Sequence, residues 1–170
     1  MQINELIGFL NKLYPPQFQE SYDNSGLLIS RDNNEISKAL LTLDITPEVM
    51  DEAIEVNADL IIAHHPLIFK PLKKIHHKSP VEKIIRKALA HDIAIYSAHT
   101  NMDSARGGTN DKLCELLNLK NCEVLSPIKD YLYKLVVFVP EAQANDVRQA
   151  IFDAGAGDRK STRLNSSHYS

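Results

Sequence analysis

Leu60-Ile61-Ile62-Ala63-His64-His65-Pro66-Leu67-Ile68-Phe69 decides the fold. Asp59 opens an apolar run of strand length, Leu60 to Ala63 avoid water, and Pro66 cannot donate to a sheet ladder. The run therefore reads as a buried strand that stops at His64 and His65. In open α/β sheets, ligands sit at the carboxyl ends of strands, so two imidazoles at that point suggest a metal site. Neighbouring side chains on an extended chain point to opposite sides. One ion would not easily take both histidines, whereas two ions about 3.5–4 Å apart, as in hydrolytic two-metal sites, could take one each. The competing account is a hydrogen-bonded or solvated histidine pair at a strand end.

Ile93-Ala94-Ile95-Tyr96-Ser97-Ala98-His99-Thr100-Asn101-Met102-Asp103 repeats the design. A short apolar strand runs out into His99 and then Asp103. Imidazole nitrogen and carboxylate oxygen together suit borderline and hard divalent ions. Ser104-Ala105-Arg106-Gly107-Gly108 follows as a flexible loop that leaves room for a ligand. A loop-capping aspartate and a structural histidine are the plain alternatives.

Four stretches carry a family resemblance: Tyr22-Asp23-Asn24-Ser25-Gly26-Leu27, Leu43-Asp44-Ile45-Thr46, Ala63 to Phe69, and Ser97 to Asp103. In this order they resemble the GTP cyclohydrolase I type 2 homologue family, the Nif-three-like dinuclear-metal proteins, over residues 1 to 157. The resemblance implies metal ligation by His64, His65 and Asp103, with His99 close to the site. His99 would act as general acid or base if it is not itself a ligand. It also implies two divalent ions per subunit in the intact protein (zinc, iron or manganese) and assembly into a homohexamer. A further histidine and a glutamate would come from a C-terminal half that this sequence lacks, so the site in this chain is expected to be incomplete.

The rest of the chain frames an α/β fold. Ile3, Leu6, Ile7, Leu10 and Leu13 recur at helical spacing, and Pro15-Pro16 ends that helix. Asp23 to Gly26 is turn chemistry, followed by a short strand at Leu27 to Ile29. Lys38 to Leu43 is a strand ending at Asp44, a residue able to reach the site or merely to cap the next loop. Thr46 and Pro47 open a helix with Val49, Ala53, Ile54 and Val56 inward. Lys70 to Lys78 is a basic loop whose His76 and His77 read as solvated, with a lid over the site as the functional alternative. Ser79-Pro80-Val81-Glu82 is a capping box opening a helix with Val81, Ile84, Ile85, Ala88 and Leu89 inward.

The expectation is thus a β-α-β-α-β layered mixed sheet with flanking helices over residues 1–128. Gly107-Gly108 opens a further helix with Leu113, Leu116 and Leu117 on its apolar face; no Gly-Lys-Ser/Thr follows, so it is not a phosphate loop. Leu119 to Pro127 is connecting chain, with a short strand at Cys122 to Leu125 as an option. Residues 129–157 resemble the first strand (Tyr131 to Val139) and helix (Ala142 to Ala154) of a ferredoxin-like insert. In that helix Val147, Ala150 and Ile151 are inward, and glycines at 155 and 157 close it. One strand and one helix bury little, so this piece is expected to dock poorly.

Composition excludes several classes. Hydrophobic residues make up 44% and charged residues 24%, ordinary values for a globular protein, and the net charge of −3 suggests neither a nucleic-acid nor a membrane partner. Cys114 and Cys122 have no metal or redox spacing and read as free thiols. No leader or membrane span is visible, so a cytoplasmic location is expected. Residues 158–170 differ from all that precedes them. Asp158 to His168 matches, residue for residue, the translation of a common sequencing-library adapter, and the segment is expected to be an artefactual, disordered tail.

Two functions follow for the intact protein. One is a metal-dependent hydrolase, cyclohydrolase-like by resemblance, acting on a small molecule. The other is a non-enzymatic metal-handling or regulatory ring. A scaffold whose histidines are purely structural is the third possibility.

Overall fold

The computed structural model describes residues 1–127 and 135–156. The chain divides into two compact units, Met1–Glu123 and Val124–Ser170. The first unit holds a four-stranded sheet of β1 (Gly26–Ile29), β2 (Ala39–Thr42), β3 (Leu60–Ala63) and β4 (Ala94–Ser97) in the order β1-β4-β3-β2. Strands β2, β3 and β4 are parallel, and β1 runs antiparallel to β4. The parallel pairs are joined through helices α2 (Pro47–Glu55) and α3 (Pro80–Ala90), which is how a parallel ladder must be connected. This is the mixed α/β sheet that the hydrophobic periodicity predicts.

Alternation along the strands builds two cores. Ile61 and Ile95 face α2 and α3, where Met50, Ala53, Ile84, Ile85 and Ala88 meet them. Leu60, Ala94 and Tyr96 face the other way, against Ile3 and Leu6 of helix α1 (Ile3–Leu13). Because both faces are covered, β3 and β4 read as unbroken apolar runs instead of alternating ones. Tyr96 is fully buried and satisfies its hydroxyl by donating to Asn11 at 3.0 Å.

The termini of these helices follow local chemistry. The Thr46 hydroxyl accepts from the Val49 N–H at 3.3 Å, and Pro47 fills the first helical position. The Ser79 hydroxyl accepts from the Glu82 N–H at 3.2 Å. Glu82 also turns toward the preceding loop, accepting from the N–H groups of His76 and Lys78 at 3.1 Å each, so it pins the basic segment as well as the helix start.

Several expectations are corrected. Val56 and Leu89, expected inward, are exposed, while Met50 takes the central buried position of α2. Leu113, Leu116 and Leu117 of α5 (Thr109–Leu116) and its cap are half or more exposed. Periodicity places these leucines together but supplies no surface to cover them. Thr100–Asp103 forms a one-turn helix, α4, in place of open loop. Cys122 to Leu125 carries no strand. In the second unit Leu135 to Val139 carries no strand, with Phe138 almost wholly exposed, since a strand needs a ladder partner and none exists among the described residues. The remainder of that expected strand, residues 131–134, and the tail, 158–170, lie outside the described residues. Helix α6 (Ala144–Asp153) starts two residues later than expected and buries none of its residues, with Ala150, expected inward, exposed; it ends before Gly155, whose φ of +94° favours glycine.

Candidate metal centre

Register builds the site. Ala63 pairs with Ser97 and Thr42 with Ala63, so β2, β3 and β4 all end at one level. The ladder continues past the strands: His64 N–H donates to the Thr42 carbonyl, His65 N–H to Leu43, and Ala98 N–H to Ala63. Asp44, His64, His65 and His99 therefore emerge side by side. Gly26 pairs with Ser97 in the antiparallel direction, which puts the turn before β1, including Asp23, at the same end.

His64, His65 and His99 each offer a ligand nitrogen, and these three atoms lie within 4.8 Å of one another. The ring centroids are 5.0, 5.2 and 5.5 Å apart. The chain bends after Ala63, so the adjacent histidines turn to one side instead of diverging as they would on an extended strand. Asp103, on α4, brings Oδ2 to 3.7 Å from His64 Nε2. His76 and His77 are exposed in their loop and outside the cluster.

Each imidazole is held through Nδ1. His64 Nδ1 donates to the Ala98 carbonyl at 2.8 Å, and a carbonyl only accepts, so the proton is on Nδ1 and the Nε2 lone pair is free in the neutral ring. His65 Nδ1 meets Asp44 Oδ1 at 2.7 Å, and His99 Nδ1 meets Asp23 Oδ1 at 2.8 Å. A carbonyl or carboxylate behind each ring is the arrangement that orients metal-binding histidines. It leaves the Nε2 atoms for a ligand, and the Asp103 carboxylate lies beside His64 but outside the three-histidine cluster. The donor set fits a divalent cation of the zinc, iron or manganese kind.

Asp23 is the residue that sequence reasoning left without a role. Its side chain is fully shielded from solvent. Burial pushes its carboxyl up, but hydrogen bonds from the Thr100 hydroxyl, His99, the Asn24 N–H and the Ser25 hydroxyl outweigh that and hold it well below the usual carboxylate range. Asp23 thus keeps its charge behind His99. Asp44 plays the same geometric part for His65 but is more than half exposed. Asp23 and Asp44 both fall inside the motifs quoted above; only the unforeseen β1–β4 pairing shows why Asp23 matters.

Position 108 fixes the loop behind Asp103. A Cβ there would stand 1.9 Å from the Met102 carbonyl oxygen and 2.9 Å from that of Ala105. Only glycine lets α5 start this close to α4.

The Duf34/NIF3 (NGG1p interacting factor 3) family model matches residues 1–166. The chain belongs to this family. It is 46% identical over 153 residues to the GTP cyclohydrolase 1 type 2 homolog of Halalkalibacterium halodurans, covering 89% of this chain and 41% of that protein. The Bacillus subtilis GTP cyclohydrolase 1 type 2 homolog is likewise 46% identical, over 154 residues, covering 90% and 41%. Among solved structures, a Bacillus cereus protein related to NIF3 matches with a TM-score of 0.71 at 46% identity, over 95% of this chain and 45% of that one. Reduced HcgD from Methanocaldococcus jannaschii matches with a TM-score of 0.66 at 33% identity, over 71% and 48%. This Duf34/NIF3 chain spans about two-fifths of the length of the curated relatives it matches.

Proposed function

We propose that His64, His65, His99 and Asp103 form a divalent-metal centre, dinuclear in the full-length protein, and that this centre serves a hydrolytic reaction of the cyclohydrolase class. One observation carries the reading: three imidazoles, each held through Nδ1, bring ligand nitrogens within 4.8 Å of one another. A divalent ion bound there supplies Lewis-acid polarisation and activates water near neutral pH. The chain's own residues do the rest. His64 and His65 bind through Nε2, and Asp103 adds a negative oxygen beside His64. The Asp23–His99 pair orients a third imidazole either to ligate or to move a proton at Nε2. The names of the relatives support GTP or a related heterocycle as substrate. The resemblance alone supports the homohexamer. The free thiols Cys114 and Cys122 favour the reducing cytoplasm, and among the described residues no helix is long and apolar enough to cross a membrane.

A second reading, metal handling without catalysis, is favoured by the openness of one side of the site. The His65 and Asp44 side chains are 47% and 58% exposed, so an ion there can exchange with solvent ligands. Bound metal and turnover of GTP and simple phosphoesters separate the readings, measured on this chain and on a version extended to its relatives' length. Metal binding with turnover lost in His65→Ala or Asp103→Ala supports the hydrolase. Metal binding without turnover supports handling. No bound metal contradicts both.

A further inference from the structure

We propose that Tyr22 and Phe69 form a stacking shelf that receives a planar unsaturated ring of the ligand held at the histidine cluster. The proposal rests on the metal-site reading above and names the substrate class for that site. The Phe69 ring stands edge-on to His99, with centroids 6.3 Å apart and planes at 88°. Tyr22 stands edge-on to Phe69 at 6.4 Å and 62°. The three rings make a continuous line leading out of the cluster.

Both outer rings face solvent: Tyr22 is 65% exposed and Phe69 43%. A scattered exposed aromatic is ordinary, but two in contact beside a convergent set of polar groups match the make-up of a small-molecule site, an apolar wall with a few placed polar atoms. The shelf is also anchored. The Asn24 side-chain amide donates to the Ile68 carbonyl, tying the Tyr22 loop to the Phe69 loop. Next to Tyr22, Asp23 is fixed by His99 and Thr100. The two loops that carry the rings are therefore tied together before a ligand arrives, which favours binding. The exposure of Tyr22 and Phe69 leaves ring surface open to a ligand, and an aromatic face prefers an offset-stacked π-system. A flat ring whose polar head reaches the imidazoles would lie over Phe69.

The test uses the zinc-loaded full chain and three hydroxamates sharing one metal-binding head: acetohydroxamate, benzohydroxamate and cyclohexanecarbohydroxamate. Calorimetry is expected to give benzohydroxamate an affinity about tenfold or more above the other two, the scale of one stacked ring. In the Tyr22→Ala/Phe69→Ala variant, benzohydroxamate falls to the level of acetohydroxamate, with circular dichroism checking the fold. Equal affinities in the wild type, a cyclohexyl compound that binds as well as the phenyl one, or a preference that survives the double substitution overturns the shelf. Zinc content is measured first and decides the metal reading by itself. Should no zinc be held, benzimidazole is titrated into the zinc-free chain. Shifts confined to the Tyr22 and Phe69 ring resonances and lost in the variant support the shelf, and their absence overturns it.

Discussion

Asp23 accepts a hydrogen bond from His99 across 76 residues of chain, at 2.8 Å and with its side chain fully shielded from solvent. Asp44 serves His65 at a similar 2.7 Å but largely in water. The two carboxylates are alike in geometry and unlike in environment. Asp23→Asn is therefore expected to weaken metal affinity by about 10–100-fold, the usual effect of removing such a support. Asp44→Asn is expected to weaken it less, because solvent already screens the Asp44 charge that the substitution removes. Competition against a chromophoric chelator measures both.

Gly108→Ala tests how the Asp103 loop is held. The added methyl collides with the carbonyls of Met102 and Ala105, which are backbone atoms and cannot swing aside. The backbone shift should destabilise the first unit by about 1–3 kcal/mol. It should also carry Asp103 away from His64 and reduce metal affinity at temperatures where the chain stays folded. Urea unfolding and metal titration of the variant check the two effects separately.

A salt-bridged cluster contributes to the acid stability. The Asp59 carboxylate pairs with buried Arg31 at 2.7 Å and accepts from the Ser37 hydroxyl and from the Ser37 and Lys38 N–H groups. Burial pushes its carboxyl up, but these partners prevail and hold it well below the usual range. As pH falls, the unfolded chain takes up the proton first, near pH 4 (about the ordinary carboxylate value), while the folded chain resists. The contribution is thus complete above about pH 4 and fades below it. Asp59→Asn should lower the melting temperature by several degrees at pH 7 and flatten the acid limb of the curve of melting temperature against pH.

Burial separates two residues of similar size. Met50 is fully buried against α3 and the sheet, whereas Leu116 is 69% exposed. Met50→Ala should cost about 2–5 kcal/mol of stability. Leu116→Ala should change it by no more than about 0.5 kcal/mol, since a surface side chain leaves no cavity. Denaturant midpoints compare them directly.

Much of this architecture was legible because a parallel unit leaves strong marks. The runs ending at His64 and His99 are apolar throughout, since both sheet faces are covered, and the capped helices between them force the strands side by side. Convergence of His64, His65 and His99 follows from that register. The place of Asp23 was not legible: it depends on β1 returning antiparallel beside β4, and its turn residues look the same whichever strand they adjoin. Nor does periodicity reveal what covers a face, so the leucines of α5 read as an inward face although they are exposed. The bend at His64 and His65 likewise falls where a simple alternation rule fails.

X-ray absorption of the zinc-loaded chain tests the central claim most directly. The account predicts a nitrogen and oxygen shell at about 2.0–2.1 Å with the multiple-scattering signature of at least two imidazoles, strongly reduced in His64→Ala/His65→Ala. A spectrum without imidazole scattering, or one unchanged by that double substitution, would contradict it.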